Sequence, residues 1–170
     1  MARAAASFTR PSTLRMRVTP IATVMLASAL PAMLPMVATF PILPPLGLLL
    51  FVAWRRLRAD LWPAWIGLPL GLWDDLFSGQ PVGSAMALWT IIVLFFEAVE
   101  YRMLFQDQWI DWLLSAVAIA LAIFGGVLLL SWTGTAIPYA LVLPQFGWSV
   151  LAYPLVARFV ATLDRWRLRK

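Results

Sequence analysis

The sequence predicts an all-α membrane protein with about six transmembrane helices in one bundle and both termini in the cytoplasm. Of its 170 residues 62% are apolar and only 12% are charged, whereas roughly a quarter of an ordinary soluble domain is charged. Long apolar runs alternate with short polar stretches, and the length suits about six helices of roughly 20 residues, the number needed to cross a bilayer. The basic residues cluster between these runs, as membrane insertion favours.

The composition also excludes several classes of protein. The chain has no Cys and no His, which excludes a disulfide-stapled domain, a thiolate metal site and His-based catalysis. The apolar content excludes a disordered chain. The net charge of +5 is compatible with nucleic-acid binding, but short clusters at helix ends argue against it. We therefore expect no nucleic-acid partner, no metal and no cofactor, and we expect contact with membrane lipid.

Six spans divide the chain. They cover residues 18–40, 41–54 or 46–54, 61 to the polar stretch 74–81, 83–100, 110–132 and 137–163. A basic cytoplasmic N-tail (1–17) precedes the helical membrane domain (18–164), and a basic cytoplasmic C-tail (165–170) follows it. A cleaved signal peptide is the alternative for the first span, since 27–29 reads Ala-Ser-Ala, but the apolar run continues well past this site.

The orientation follows from the positive-inside rule. With the N-terminus in the cytoplasm, the cytoplasmic segments are the N-tail, residues 55–60, residues 101–109 and the C-tail. Together with Arg158 near the inner end of span six they hold all 13 basic residues. Most tryptophans are predicted at the two headgroup boundaries, namely Trp54, Trp62, Trp65, Trp109, Trp112 and Trp166 inside and Trp73 and Trp132 outside.

The positions of proline and of small residues predict how the helices bend and pack. Six prolines within spans predict irregular helices, namely Pro31, Pro35, Pro63, Pro69, Pro144 and Pro154. In span five, Ala118, Ala122 and Gly126 recur at intervals of four. This spacing lets two helices approach closely, although alanine is common in any apolar span.

Asp74 and Asp75 are the acids placed farthest from the inner boundary. Asp74 lies about 13 residues beyond the start of span three, or roughly 20 Å into a core of about 30 Å. A carboxylate at that depth is costly unless it meets water, a partner or a donor. Neighbouring helical residues point about 100° apart, so the two acids form no proteolytic dyad. We therefore expect a structural or partner-binding role, with no catalytic residue.

The acids begin a turn between two helices. In Gly71-Leu72-Trp73-Asp74-Asp75-Leu76-Phe77-Ser78-Gly79-Gln80-Pro81-Val82-Gly83, Gly79 is expected at positive φ and Pro81 in the first turn of the next helix. The pattern Gly, three residues, Asp-Leu-x-Ser-Gly-x-Pro-x-Gly resembles the signature of the MreD family of bacterial rod shape-determining membrane proteins. The residues that fall on it are Gly71, Asp75, Leu76, Ser78, Gly79, Pro81 and Gly83. Length, hydropathy and basic tails are similar as well. Asp74 departs from the pattern, whose residue there is usually apolar, which leaves open which acid carries the family's role.

The resemblance implies a function. Members of the family are non-enzymatic proteins of the bacterial cytoplasmic membrane that bind the single-span protein MreC. They belong to the cell-elongation complex with MreB, RodA and a class B penicillin-binding transpeptidase, which directs lateral peptidoglycan synthesis and cell shape. Their fold is similar to that of the substrate-binding subunits of energy-coupling-factor transporters. The motif turn, Asp74 included, is then a candidate partner-facing surface.

A small-molecule transporter subunit is the alternative function. It would hold a vitamin-type ligand in an outward pocket around the loop between spans three and four. Such a pocket needs polar groups that converge at one depth. The candidates are Asp74, Asp75, Ser78, Gln80, Thr133, Thr135 and Gln145. This set is sparse, which favours the scaffold.

Overall fold

The described part of the chain contains six α-helices. The computed structural model describes residues 13–33, 43–101, 107–134 and 138–168. The helices are α1 (Thr13–Met33), α2 (Leu46–Leu57), α3 (Gly67–Ser78), α4 (Ser84–Glu100), α5 (Gln108–Trp132) and α6 (Leu143–Leu168). Short 3₁₀ turns occupy Ala59–Leu61, Ala64–Ile66 and Tyr139–Leu141. Within these ranges there is no strand, so the all-α prediction is confirmed for this part of the chain.

Two of the helical segments are long and apolar enough to cross a bilayer. They are Gln108–Trp132 and Tyr139–Leu168, and the apolar part of α1, Val18–Met33, is shorter. Helices α2 and α3 have 12 residues each, or about 18 Å at 1.5 Å per residue. Most of the predicted N-tail, the end of span one with Pro35, the loop residue Arg102, and Thr135 lie outside the described residues.

Span three begins later than predicted. Instead of a helix from residue 61, two 3₁₀ turns precede α3, which starts at Gly67. The reason is Pro63, which has extended backbone angles (φ −65°, ψ 154°) and draws Trp62 before it into an extended conformation, because the proline ring clashes with a helical predecessor. Asp74 is therefore the eighth residue of a short helix and not 13 residues into a long one.

Helix α2 is the centre of the bundle. Residues 47–55 are all buried, and α1, α5 and α6 pack around them. A helix that is apolar on all sides is expected to be enclosed in this way. Trp54, predicted at headgroup depth, is fully buried and its indole Nε1 donates to Thr23 Oγ1 at 3.0 Å. The ring therefore packs inside the bundle instead of facing lipid, and its depth in the membrane stays a prediction.

The small residues of α5 lie along its packed side. Ala118 and Gly126 are buried, and Ala122 is half-buried against the core. A Cβ built on Gly126 would lie 3.6 Å from Gln80 Oε1, in the turn before α4. Gly125 faces the Leu88 side chain of α4. Helix α5 thus packs against α4 on one side and α6 on the other.

Candidate functional site

Three residues spaced by four form the face of α3 that packs against α4. They are Gly67, Gly71 and Asp75, all of them buried, and this spacing places them on one side of a helix. A Cβ built on Gly71 would lie 2.5 Å from Met86 Cα, and one built on Gly67 would lie 2.7 Å from the Thr90 amide nitrogen. The two glycines therefore bring the backbones of α3 and α4 into direct contact, as small residues do between membrane helices.

Asp75 caps the beginning of α4. Its Oδ1 accepts hydrogen bonds from the Ala85 amide at 2.8 Å and the Ser84 hydroxyl at 3.0 Å. Its Oδ2 accepts from the amides of Gly83 at 2.8 Å and Met86 at 3.3 Å. The first amides of a helix have no partner within it, and the positive end of the helix dipole attracts a carboxylate. The side chain is 3% exposed, so the cap is internal to the hairpin of α3 and α4.

Two glycines at positive φ shape the turn between the helices. Gly79, at φ 66°, ends α3 as predicted, and Gly83, at φ 101°, precedes α4. Pro81 is not in the first turn of α4, because that helix begins at Ser84, whose amide donates to the Pro81 carbonyl at 3.0 Å. The proline therefore lies in the turn, and the carboxylate of Asp75 takes over the capping that Gly83 has no side chain to provide.

Asp74 belongs to a different interface. It lies beside Ser28 of α1 and Gly47 of α2, since a Cβ built on Gly47 would be 3.0 Å from Asp74 Oδ1 and would overlap Ser28 Oγ. The two acids therefore face different neighbours, as their positions on a helix require. Asp75 alone makes the hydrogen bonds that join the residues of the motif.

The other motif residues surround the cap at the surface. Leu76, Ser78 and Gly79 are exposed, and Pro81 and Gly83 are half-buried. Leu76 is 63% exposed and Val82, next to the motif, is 73% exposed. The structure thus brings Gly71, Asp75 and Gly83 together at the hairpin, whereas Leu76 lies on the outside.

A cluster of charged residues occupies the opposite end of the bundle, which we call the arginine end. It joins the C-termini of α2, α4 and α6 to the N-terminus of α5, and α4, which is 17 residues or about 25 Å long, separates it from the hairpin turn. Its members are Arg55, Arg56, Arg58, Glu100, Asp111, Asp164 and Arg167.

The arginine end is held by paired contacts. Arg55 forms two parallel hydrogen bonds with Glu100, at 3.1 and 3.0 Å, the bidentate geometry that arginine favours with carboxylates. Arg56 contacts Glu100 and Asp111. Asp164 is shared by Arg58, at 3.0 Å, and Arg167, at 2.5 Å.

Aromatic rings complete two of these contacts. The guanidinium of Arg167 stands 5.3 Å from the centre of the Trp54 ring, and that of Arg56 stands 5.4 Å from the Phe96 ring. Both distances allow a cation–π interaction. From the sequence, the arginines indicated only the orientation of the helices. The placement of these acids and arginines on one predicted side was the signal from which the network could have been inferred.

Comparisons with protein-family models, with curated proteins and with solved structures find no match to this chain. Among the described residues, no three acidic side chains lie close enough together to hold a metal ion.

Proposed function

We propose that the protein is a non-enzymatic multi-pass scaffold of the bacterial cytoplasmic membrane, similar to MreD. In this proposal it crosses the membrane six times with both termini in the cytoplasm and binds an MreC-type single-span protein. It then acts within the cell-elongation complex that contains MreB, RodA and a class B penicillin-binding transpeptidase, and it helps to direct lateral peptidoglycan synthesis and cell shape.

The observation that carries the proposal is the saturation of Asp75. Its carboxylate accepts three amide hydrogen bonds and one from a hydroxyl, all of them within the hairpin. A buried acid with these partners holds two helices together and has little hydrogen-bonding capacity left for a ligand. The residues of the motif thus support a rigid hairpin, which suits a protein whose task is to present helix surfaces to partners.

The arginine end supports the orientation. Four arginines meet three acids at the helix ends that form the arginine end. The hairpin turn at the other end of the bundle contains no basic residue. Cationic residues on one side only are typical of the cytoplasmic face. The two long apolar segments, Gln108–Trp132 and Tyr139–Leu168, supply the part of the bundle that crosses a bilayer most readily.

The transporter alternative receives less support. The polar groups that would line its pocket are used elsewhere: Gln145 donates to the Leu43 carbonyl and Thr133 to the Leu130 carbonyl. Asp74 and Asp75 face different helices. Among the described candidates, Asp75 and Gln80 meet at the Ser84 hydroxyl, but this contact serves the helix cap, and a buried ligand site requires polar groups that converge on a ligand.

Co-purification tests the partner. The tagged protein is co-expressed with an MreC-type single-span protein, extracted in detergent and eluted, and the eluate is analysed for the partner and for retained small molecules. We expect the partner to co-elute. Separate elution of the two proteins, with a vitamin retained on the tagged one, would reverse the choice between scaffold and transporter.

Cysteine labelling tests the topology, and the native chain supplies its own background because it contains no Cys. Single substitutions Ser78→Cys and Thr133→Cys are expected to react with a membrane-impermeant maleimide on intact spheroplasts. Asp60→Cys and Asp107→Cys are expected to react only after permeabilisation. All four side chains are exposed, so the reactivity depends on the side of the membrane, and an odd number of crossings would invert part of this pattern.

A further inference from the structure

A cavity of about 480 Å³ opens at the arginine end. It lies between α1 and the two 3₁₀ turns that follow α2, and its lining includes Pro20, Ile21, Asp60, Leu61, Trp62 and Trp65. Its volume falls in the range of small-molecule sites, about 300–1,000 Å³. Because Asp60 and Trp65 are exposed, the cavity reaches the surface. The 3₁₀ turns follow Arg58 directly, so the site is at the proposed inner membrane boundary.

A buried hydrogen-bond donor on the cavity wall has no acceptor. Trp62 is 5% exposed, and its indole Nε1 has no hydrogen-bond partner in the structure. The ring is held by an edge contact with Phe51, with 5.5 Å between the centres. A buried donor without an acceptor destabilises the fold, and such groups are uncommon in folded proteins. An occupant that brings an acceptor atom would remove this cost.

The mouth of the cavity can recognise a cation. Asp60 forms no ion pair with any described side chain, and Arg58, two residues earlier, is engaged by Asp164. Trp65, at 61% exposure, presents an indole ring beside it. A carboxylate together with an aromatic face is a favourable site for an ammonium group. The lining also includes the apolar residues Pro20, Ile21 and Leu61.

We propose that this cavity binds a phospholipid with a primary ammonium headgroup, of the phosphatidylethanolamine type, from the inner leaflet. A phosphate oxygen accepts the Trp62 indole hydrogen bond, the ammonium group lies against Asp60 and Trp65, and the start of an acyl chain follows Ile21 and Leu61. An anionic lipid fits less well, because Asp60 repels it and because Arg55 and Arg58, the arginines just before the 3₁₀ turns among the described side chains, are already paired with acids. The proposal rests on the membrane placement given above but not on the scaffold role.

Lipid retention tests the site. The protein is reconstituted in nanodiscs with equal amounts of phosphatidylethanolamine, phosphatidylcholine and phosphatidylglycerol, extracted into mild detergent, and the retained lipid is quantified by mass spectrometry. We expect phosphatidylethanolamine to be enriched over both other lipids. Trp62→Phe, which removes the N–H and keeps an aromatic ring, and Asp60→Asn, which removes the charge, should each lower this enrichment about fivefold, the effect of one hydrogen bond.

Matched controls separate the site from a general effect. Trp109→Phe and Asp107→Asn change the same residue types at exposed positions that do not line the cavity, and they should leave the retained lipid unchanged. Each variant is checked for a monodisperse elution profile. Equal retention of the three lipids, a preference for phosphatidylglycerol, or an equal loss in the controls would overturn the lipid site. Partner co-elution measured on the same variants should not change, so that failure of the site and failure of the scaffold proposal are distinguished.

Discussion

The two ends of the bundle satisfy their acids in different ways. At the hairpin, Asp75 accepts hydrogen bonds from the backbone of α4, and two glycines on the same face of α3 hold that backbone in contact. At the arginine end, Glu100 and Asp164 meet long side chains that arrive from other helices. One end is therefore built from backbone groups whose positions are set by the fold, and the other from side chains that can rearrange.

This difference predicts different tolerances. A backbone contact without side-chain freedom cannot absorb an added methyl group locally, because the two helices must then separate and lose packing and the hydrogen bonds of the Asp75 cap. A network of arginines can exchange partners and is partly screened by salt. Substitutions at the hairpin should therefore cause larger losses than conservative substitutions at the arginine end, and salt should affect only the latter.

Gly71→Ala is expected to have the largest effect. Its Cβ would lie 2.5 Å from Met86 Cα and 2.6 Å from the Ala85 carbonyl oxygen, both backbone atoms, so the helices must separate. We expect a loss of about 3 kcal/mol of stability, measured as a lower midpoint of thermal unfolding in detergent. Gly147→Ala on α6 is the matched control, since no atom lies within 4 Å of its Cβ. Equal midpoints for the two variants would mean that α3 and α4 are not in backbone contact.

Asp75→Asn is expected to cause the second-largest loss of stability. The amide NH₂ group would face backbone donors, so that about half of the hydrogen bonds made by the carboxylate are lost, at a cost of about 2 kcal/mol. Rod shape and partner co-elution should both deteriorate. Asp74→Asn is the control, because that side chain makes none of the bonds in the cap, and it should have a smaller effect. Normal cells with Asp75→Asn and with Asp75→Leu would show that the acid has no special role.

Asp164→Asn tests the more buried half of the arginine end. The acid is 6% exposed and Arg167 beside it is 8% exposed, so removal of the charge leaves a cation in a poorly solvated place. Because Arg58 is partly exposed, we expect a loss of about 1.5 kcal/mol, below the 3–5 kcal/mol typical of a fully buried pair. High salt should reduce the difference in unfolding free energy between Asp164→Asn and the wild type. The corresponding difference for Gly71→Ala should not depend on salt. Asp107→Asn, at an exposed acid, is the control.

Arg55→Lys should have the smallest effect. Lysine keeps the charge but cannot form the two parallel hydrogen bonds that Arg55 makes with Glu100, since its ammonium group is a point charge. Glu100 is about one-third exposed, so water compensates in part and we expect a loss of about 1 kcal/mol. Arg165→Lys, on an exposed arginine, should leave the unfolding midpoint unchanged. A loss as large as that of Gly71→Ala would remove the distinction between the two ends.

The sequence predicted those elements whose signals are local. Span five, predicted at 110–132, is α5 at Gln108–Trp132, and span four, predicted at 83–100, is α4 at Ser84–Glu100. Long apolar runs with polar ends define such helices without reference to the rest of the chain. The positive φ of Gly79 was equally local, since glycine adopts it without steric cost.

What the sequence did not predict depends on neighbours. The burial of α2 on all sides requires α1, α5 and α6, and the same packing encloses the Trp54 ring. The start of α3 was predicted too early because apolar residues continue on both sides of Pro63. The apolar run therefore gave no sign that the helix begins only after this proline. Asp75 was expected to need a donor, but the amides that satisfy it come into reach only when two glycines hold α4 against α3.

The enclosure of α2 has a consequence for how the chain assembles. Arg58, just beyond the end of α2, meets its acid, Asp164, 106 positions further along the chain. During synthesis the second helix therefore emerges with much of its surface uncovered, and it stays so until the last helix arrives. A ribosome that stops before α6 would release a product with an open flank and an arginine without its counter-ion, a state that quality-control proteases can distinguish from the finished protein.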